Sequence, residues 1–382
     1  MTRPAHHRLV WGTFDTGKPR VRMLVEALRQ DDPDVPVCHR NPWQGIEDKS
    51  QLRGLRARLA VLLRWLLAYP ALILAYLRAP AHRVVVVPYP GNLDVLVLWP
   101  FARLRGAKIC WDMFISLYDT AVIDRGLLRP GGIAARLLYA SEWLSTRAAD
   151  LVLLDTRAHA DHVGALYHLP AARLGAFWVG AEQDLFRRAA TPPPVEPLRV
   201  LFYGQFIPLH GLDTIVEAIT RIERDAAAPP LHFTIVGTGQ EQPRIDALIA
   251  RLGLRSVERI EWVDYAHLPA LIEQSAICLG VFAPDGKAAR VIPNKVFQIL
   301  AVGRPLVTMD GPAIREIAQP GPAVRLVPPG DPAALAAALT DLARDLRQPG
   351  GAAAIHAAAR AAMPIVDVRT VRAQFCQATE PL

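Results

Sequence analysis

The chain has 382 residues, 52% of them hydrophobic and 21% charged, which is globular material exceeding one core and pointing to two domains. Its four cysteines, Cys38, Cys110, Cys278 and Cys376, lie far apart with no Cys-x-x-Cys spacing, so neither a zinc site nor a redox pair is suggested. The net charge of +7 is uneven: up to residue 190 there are 25 Lys and Arg against 17 Asp and Glu, and beyond it 18 against 19.

From Gln51 to Leu93 there are six arginines and no acid. A cationic half beside a neutral half suggests an anionic partner, either membrane or nucleic acid. No recognised binding motif or basic-aromatic run accompanies the charge, so no nucleic-acid partner is expected.

In chain order, "MTRPAHHRLVWGTF" lacks the basic-then-apolar layout of a signal peptide, and a cytoplasmic setting is expected. "RLVWGTFDTGKPRVRMLVEALRQ" reads as strand, Gly-containing loop and helix. Residues 51–79 mix arginines with Leu, Trp and Tyr. Their apolar core nears spanning length, but Arg64 and Pro70 interrupt it, so a transmembrane helix is not expected. An interfacial amphipathic element toward anionic lipid suits the composition, with a pair of helices covering the first sheet as the alternative. "RVVVVPYP", "GAKICWDMF" and "ADLVLLDT" are further short apolar runs fit for buried parallel strands.

"RRAATPPPVEP" is a Pro-rich break and the expected boundary. The expected division is an N-terminal domain over 1–188, a linker over 189–197, a C-terminal domain over 198–360, and a tail over 361–382 that crosses back to the first domain. A second series follows: "LRVLFYG", "LHFTIVG", "RIEWVD", "AICLGVF" and "RPLVTMD", alternating with helical stretches. Two runs of alternating strands and helices imply an α/β fold of two Rossmann-like doubly wound domains facing a central cleft, where ligands are expected. The tail reads as helical after Ala352, then extended around "MPIVDV".

Four segments carry chemistry. In "LFYGQFIPLHGLDTIVEAI" a buried strand ends at Gly204, and Gly211 precedes a helix near Leu212. Glycine permits close backbone approach and a helix N-terminus attracts phosphate, although a plain strand-loop-helix turn gives the same pattern. "FTIVGTGQEQPRIDALIARLGL" offers Gly237 and Gly239 in a lone Gly-x-Gly, a weak signal. Asp264 and Tyr265 follow another strand, where a flat base could rest or a turn could need them.

In "VIPNKVFQILAVGRP" Asn294 reads as the N-cap of a helix of about two turns that Gly303 ends. Lys287, Arg290 and Lys295 place three cations in nine residues before and on that helix, a diphosphate cradle or a solvated basic loop. In the first half "CWDMFISLYDT" carries Asp112, Ser116 and Asp119 at a strand's carboxyl end, facing a ligand crevice or capping a helix. The eleven histidines show no metal-ligand clustering, and "HADH" reads as a solvent-facing helix surface, so no metal is expected.

Taken together, the blocks "VLFYGQFIPLHGLDTIVEAI", "FTIVGTGQEQPRIDALIARLGL" and "IPNKVFQILAVGRPLVT" resemble the family 4 glycosyltransferases of GT-B fold, and "WGTFDTGKPRVRMLVEALR", "DMFISLYDT", "ADLVLLDTRAHADHV" and "VGAEQDLF" agree. The resemblance implies a nucleotide diphosphate sugar as co-substrate, no other cofactor, a retaining and metal-independent reaction, and a glycan or lipid-linked acceptor. It also implies polysaccharide synthesis, on the inner face of the plasma membrane if residues 51–79 meet lipid. The sequence departs from the family at the donor site. Gln205 and His210 replace a phosphate-binding Arg and Lys, and Arg290 and Gln298 replace the two glutamates of the Glu-x7-Glu motif.

By this resemblance Gly204, Gln205, His210, Gly211, Gly237, Gly239, Asp264, Tyr265, Asn294 and Gln298 hold the donor. Gly12, Thr13, Asp15, Ser116 and Asp119 face the acceptor, and Asp112, Arg290 and Lys295 are the catalytic positions. The missing glutamates leave a rival expectation, a catalytically silent nucleotide-sugar-binding partner of a polysaccharide assembly complex. A GT-B epimerase would need acid/base carboxylates that the sequence does not place.

Overall fold

The computed structural model describes residues 6–42, 55–284 and 286–382. The chain forms two compact units, Met1–Gly180 with Val368–Leu382, and Ala181–Asp367. The division therefore falls at Gly180, and the proline-rich 189–197 lies inside the second unit.

The first unit is built on six parallel strands: β1 (Arg8–Gly12), β2 (Val37–His39), β3 (Val84–Val87), β4 (Lys108–Phe114), β5 (Leu151–Leu154) and β6 (Leu174–Ala176), in the order β2-β1-β3-β4-β5-β6. The apolar runs form β1, β3, β4 and β5. Covered by helices on both faces, such strands need no polar alternation. The sequence reading lacks β2 and β6, each three residues long and too short to show a pattern.

The helices are α1 (Pro19–Asp31), α2 (Leu55–Arg78), α3 (Asn92–Leu104), α4 (Ile133–Ala148) and α5 (Arg157–Tyr167). Of the basic segment 51–79, residues 51–54 lie outside the described residues. The rest is one helix running through Pro70, not a pair. Tyr69, Leu72 and Tyr76 of α2 join Leu98 of α3, Val163 of α5 and Trp11 and Trp111 of the sheet in one core. Among the described residues no helix is long and apolar enough to cross a membrane.

In the second unit β7 (Arg199–Tyr203), β8 (His232–Val236), β9 (Val257–Ile260), β10 (Ile277–Leu279), β11 (Leu306–Met309) and β12 (Val324–Val327) are again all parallel, in the order β12-β11-β10-β7-β8-β9. Its helices are α6 (Leu212–Arg224), α7 (Gln242–Leu252), α8 (Leu268–Glu273), α9 (Asn294–Val302), α10 (Pro332–Arg347) and α11 (Gly351–Ala362). Ile215, Val216, Ile219 and Ile222 form the buried stripe of α6, at helical spacing. β12 is unannounced in the sequence because "VRLV" runs straight into "PPGDP", which reads as loop. The tail is extended over 363–367 and then adds a helix the sequence reading lacks, α12 (Val368–Thr379), which packs on α1 and β6 of the first unit.

Candidate functional site

In the second unit the strand order reverses between β7 and β10, and the loops after those strands flank the crevice where a doubly wound sheet takes ligands. The loop after β7 begins with Gly204 and Gln205 and makes a turn at Pro208–His210. His210 Nδ1 donates to the Gln205 carbonyl, folding that loop on itself. Gly211 then starts α6 in a left-handed conformation (φ 63°), and a Cβ there would lie 2.3 Å from the Phe282 backbone after β10. Only glycine lets the two loops meet. The Pro208–His210 turn packs on Gly286–Ala289, which carries the buried Lys287.

Lys295 stands at the second position of α9, 5% exposed, with Nζ 3.7 Å from the centre of the Phe202 ring. A Cβ on Gly204 would sit 3.6 Å from that Nζ and 3.0 Å from His210 Cε1, so Gly204, His210 and Lys295 share one place. Among the described residues Lys295 Nζ has no hydrogen-bond partner. Burial pushes its pKa well below the ordinary 10.5, because the ammonium loses its hydration.

Gln298, one turn on, is 4% exposed and both its amide oxygen and its amide nitrogen are hydrogen-bonded. Tyr203 Oη donates to its Oε1 at 2.8 Å, and its Nε2 donates to Tyr265 Oη at 3.2 Å. Tyr265 Oη in turn donates to Glu182 Oε2 at 2.7 Å. A carboxylate is thus present one hydroxyl away from the position where the resemblance expects a glutamate.

The other donor candidates are distributed around these groups. Asn294 occupies the first helical position, not the N-cap. The cap is Pro293, whose ring fixes φ at −64°, and no side chain caps the helix. Arg290 is partly buried and its amide donates to the Lys287 carbonyl at 2.9 Å. Gly237 and Gly239 serve loop packing: a Cβ on Gly237 would overlap the Gly204 carbonyl, and Phe206 N donates to Thr238 O at 2.8 Å. Asp264 is exposed, accepts from the Trp262 indole at 3.3 Å, and takes no part in the tyrosine chain.

In the first unit the order reverses between β1 and β3, and there Gly12 and Thr13 meet Asp94 on the first turn of α3. The Asp94 carboxylate is 0% exposed and accepts from Thr13 N (2.7 Å), Thr13 Oγ1 (2.8 Å) and Tyr69 Oη of α2 (2.8 Å). Burial pushes its pKa up and these three donors oppose the rise. The Trp65 indole of α2 also donates to Thr13 Oγ1. Asp15 accepts from Gly17 N at 3.0 Å, shaping the same loop.

The remaining acceptor candidates belong to other networks. Asp112 is 0% exposed, and both its oxygens accept from Arg20, at 2.7 to 3.2 Å. Burial raises its pKa against the pull of that guanidinium. Arg20 also donates to the carbonyls of Leu154 and Phe177, so Asp112 holds the arginine that ties β4, β5 and the segment after β6 together. Ser116 Oγ donates to Glu142 at 2.7 Å and accepts from Asp119 N at 3.0 Å. Contrary to the expected solvent-facing surface, His159 of "HADH" is fully buried, with Nδ1 2.7 Å from Asp155.

Among the described residues no group of three or more His, Cys, Asp or Glu could hold a metal ion. Sequence reasoning missed Asp94, Glu142, Glu182, Tyr203 and Arg20. Asp94 had a usable signal, as the one acid in the otherwise apolar "NLDVLVLWPF".

Residues 197–345 match the family model Glycosyl transferases group 1. Relatives agree over parts of their length. WcaI of Escherichia coli (strain K12), assigned as a colanic acid biosynthesis glycosyl transferase, is 32% identical over 123 residues, 32% of this chain and 29% of WcaI. The amylovoran biosynthesis glycosyltransferase AmsK of Erwinia amylovora is 25% identical over 178 residues, 46% of this chain and 43% of AmsK. The chain thus spans less than half the length of the curated relatives it matches. Among solved structures, Anabaena HepE in complex with UDP superposes with a TM-score of 0.67 at 14% identity, covering 99% of this chain and 100% of HepE. The fold is GT-B, as the sequence blocks imply.

Proposed function

We propose that the chain is a glycosyltransferase that moves a sugar from a nucleotide diphosphate sugar to a hydroxyl of a lipid-linked or polysaccharide acceptor. The product would be an exopolysaccharide or another cell-envelope glycan, made in the cytoplasm where nucleotide sugars are held. The observation that carries this reading is Lys295: a buried ammonium over the Phe202 ring with no hydrogen-bond partner among the described residues, beside Gly204 and His210 at the reversal point of the second sheet. Such a cation is stabilised by an anion, and a diphosphate at the N-terminus of α9 supplies one. The matches to WcaI and AmsK support polysaccharide synthesis, and HepE with UDP supports a nucleotide diphosphate donor.

In the proposed reaction the acceptor oxygen bonds to the anomeric carbon as the bond from that carbon to the diphosphate oxygen breaks. The acceptor approaches on the face from which the diphosphate leaves, so the configuration is retained, and its proton passes to a diphosphate oxygen with no metal and no protein base. Lys295, with Arg290 and the first amides of α9, stabilises the charge that develops on the leaving diphosphate. Asn294 and Gln298 lie on the ribose side, with Tyr265 and Asp264 toward the base. Gly12, Thr13 and Asp15 form the acceptor loop, and Asp112 acts through Arg20 as a positioning residue.

The test is a thermal-shift and calorimetry panel of UDP, GDP, ADP and dTDP with their sugars. Binding at roughly a hundredfold excess over Kd stabilises by about 2.7 kcal/mol. The expected result is a shift with one nucleotide that Lys295→Met abolishes; no shift with any, or an undiminished shift in Lys295→Met, overturns the reading. The engaged amide of Gln298 favours a second reading, a donor-binding partner without turnover. Nucleotide binding with neither transfer nor donor hydrolysis would select it.

A further inference from the structure

Among the described residues seventeen large apolar side chains are exposed, and fourteen of them lie between Leu63 and Leu144. They are concentrated on α2, α3, α4 and the segment before α4. On α2 the exposed Leu63, Leu66, Leu67, Leu74 and Leu77 fall within about 100° of arc at 3.6 residues per turn, opposite the buried Tyr69, Leu72 and Tyr76. The helix therefore has two apolar faces, of which the sheet covers one. α3 lies beside α2 and α4 beside α3. They extend the uncovered face with Trp99 and Leu104, the latter 84% exposed, and with Ile133 and Leu137, 81% and 66% exposed.

The charge on these helices is one-sided. Arg64 and Arg78 are exposed along one flank of the leucine stripe, and Arg103, Arg129 and Arg136 are exposed on or beside α3 and α4. Between residues 63 and 149 the acids Asp94, Asp112, Asp119 and Glu142 are buried and Asp124 is partly buried, so no carboxylate in that range is exposed. Leucine and tryptophan with arginine and no acid match an anionic bilayer, whose headgroups attract the guanidinium groups and whose acyl boundary takes the apolar side chains. Arg103 is already paired with Asp150 at 3.2 Å; a protein partner would leave Arg64, Arg78, Arg129 and Arg136 without an acidic counterpart unless it carried a dedicated one.

We propose that the outer face of α2, α3 and α4 seats the first unit on an anionic membrane surface. The inference stands apart from the donor reading, since it concerns residues of another unit and is measured without turnover. It extends the membrane expectation for residues 51–79 to two helices the sequence reading did not include. Because α2 also donates from Trp65 and Tyr69 to Thr13 and Asp94, the helix resting on lipid is the one that holds the Gly12–Thr13 loop.

The experiment is flotation of the full chain with vesicles of phosphatidylcholine alone, and with vesicles containing a third phosphatidylglycerol, at low and high salt. The expected result is binding to the anionic vesicles that weakens at least tenfold at high salt, with little binding to neutral ones. Two variants of exposed residues, Leu67→Gln with Leu74→Gln, and Arg64→Gln with Arg78→Gln, should each reduce binding at least tenfold. Neither should alter the unfolding midpoint or nucleotide binding. Absence of binding to anionic vesicles at low salt overturns the proposal, as does binding that both variants leave unchanged. So does a stable dimer of the free chain that Leu67→Gln with Leu74→Gln converts to monomer without any lipid binding.

Discussion

Lys295 has shed its water without gaining a hydrogen bond among the described residues, and this makes its charge a reporter. Its folded pKa lies below the 10.5 of an unfolded lysine. Between those two values the unfolded chain binds more protons, so stability rises with pH there; below the folded pKa the full burial penalty applies. Lys295→Met should remove that slope and raise stability at neutral pH by about 1–2 kcal/mol, read by urea unfolding across pH. A bound diphosphate returns a partner to the ammonium, so donor binding above the depressed pKa should take up a proton. Calorimetry in two buffers of different ionisation enthalpy measures this, and equal apparent enthalpies would count against the diphosphate contact. Gln298 makes the complementary case. In Gln298→Glu the new carboxylate and Glu182 would compete for the single Tyr265 hydroxyl proton, which destabilises by about 1–3 kcal/mol. Adding Glu182→Gln should restore most of that loss, since one acid then remains for the hydroxyl. The sequence placed Gln298 where the resemblance expects a glutamate, but not the carboxylate that reaches the spot from Glu182. A residue more than a hundred positions away in sequence is brought there by tertiary packing alone.

Single helices show how far local grammar carries and where it stops. Asn294 has the chemistry of an N-cap and sits where the pattern calls for one, yet Pro293 takes the cap position with extended ψ and Asn294 becomes the first helical residue. At Asp331 the same grammar holds, with the side chain accepting from Ala333 N and Ala334 N, each at 2.9 Å. Asp331→Ala should therefore cost about 1 kcal/mol of stability, whereas Asn294→Ala should cost less than about 0.5 kcal/mol and act on donor affinity instead. Chemical denaturation of the two variants beside a nucleotide titration separates these effects; equal losses of stability would return Asn294 to a capping role. The long apolar strands were legible because burial on both faces leaves a continuous signal. β2, β6 and β12 were not, since three or four residues are too few to carry a period and only the neighbouring strand pairs them. α2 was legible as cationic and apolar, but its two opposed apolar faces emerge only when the buried face is known.

At the scale of the whole chain, two α/β units and the GT-B fold follow from alternating strands and helices, while the division of the chain between them does not. Proline and composition mark 189–197, but contacts decide, and they leave that stretch inside the second unit and return Val368–Leu382 to the first. The return is built from α12 against α1 and β6. Phe375, 1% exposed, meets Phe177 edge-on at 5.5 Å, and Gln374 Oε1 accepts from Trp178 N at 2.9 Å. Asp31 of α1 gathers Arg8 at 2.8 Å together with Arg372 of α12. Such a tail adds a helix to one unit from the far end of the chain, so its loss should be felt by that unit first. Phe375→Ala should destabilise the first unit by about 3–5 kcal/mol through the lost burial and the cavity left behind. In calorimetric unfolding this should appear as a lowered transition that nucleotide does not move, beside a second transition that nucleotide still raises. A variant that lowers the nucleotide-sensitive transition instead would assign α12 to the stability of the second unit and refute the division drawn here.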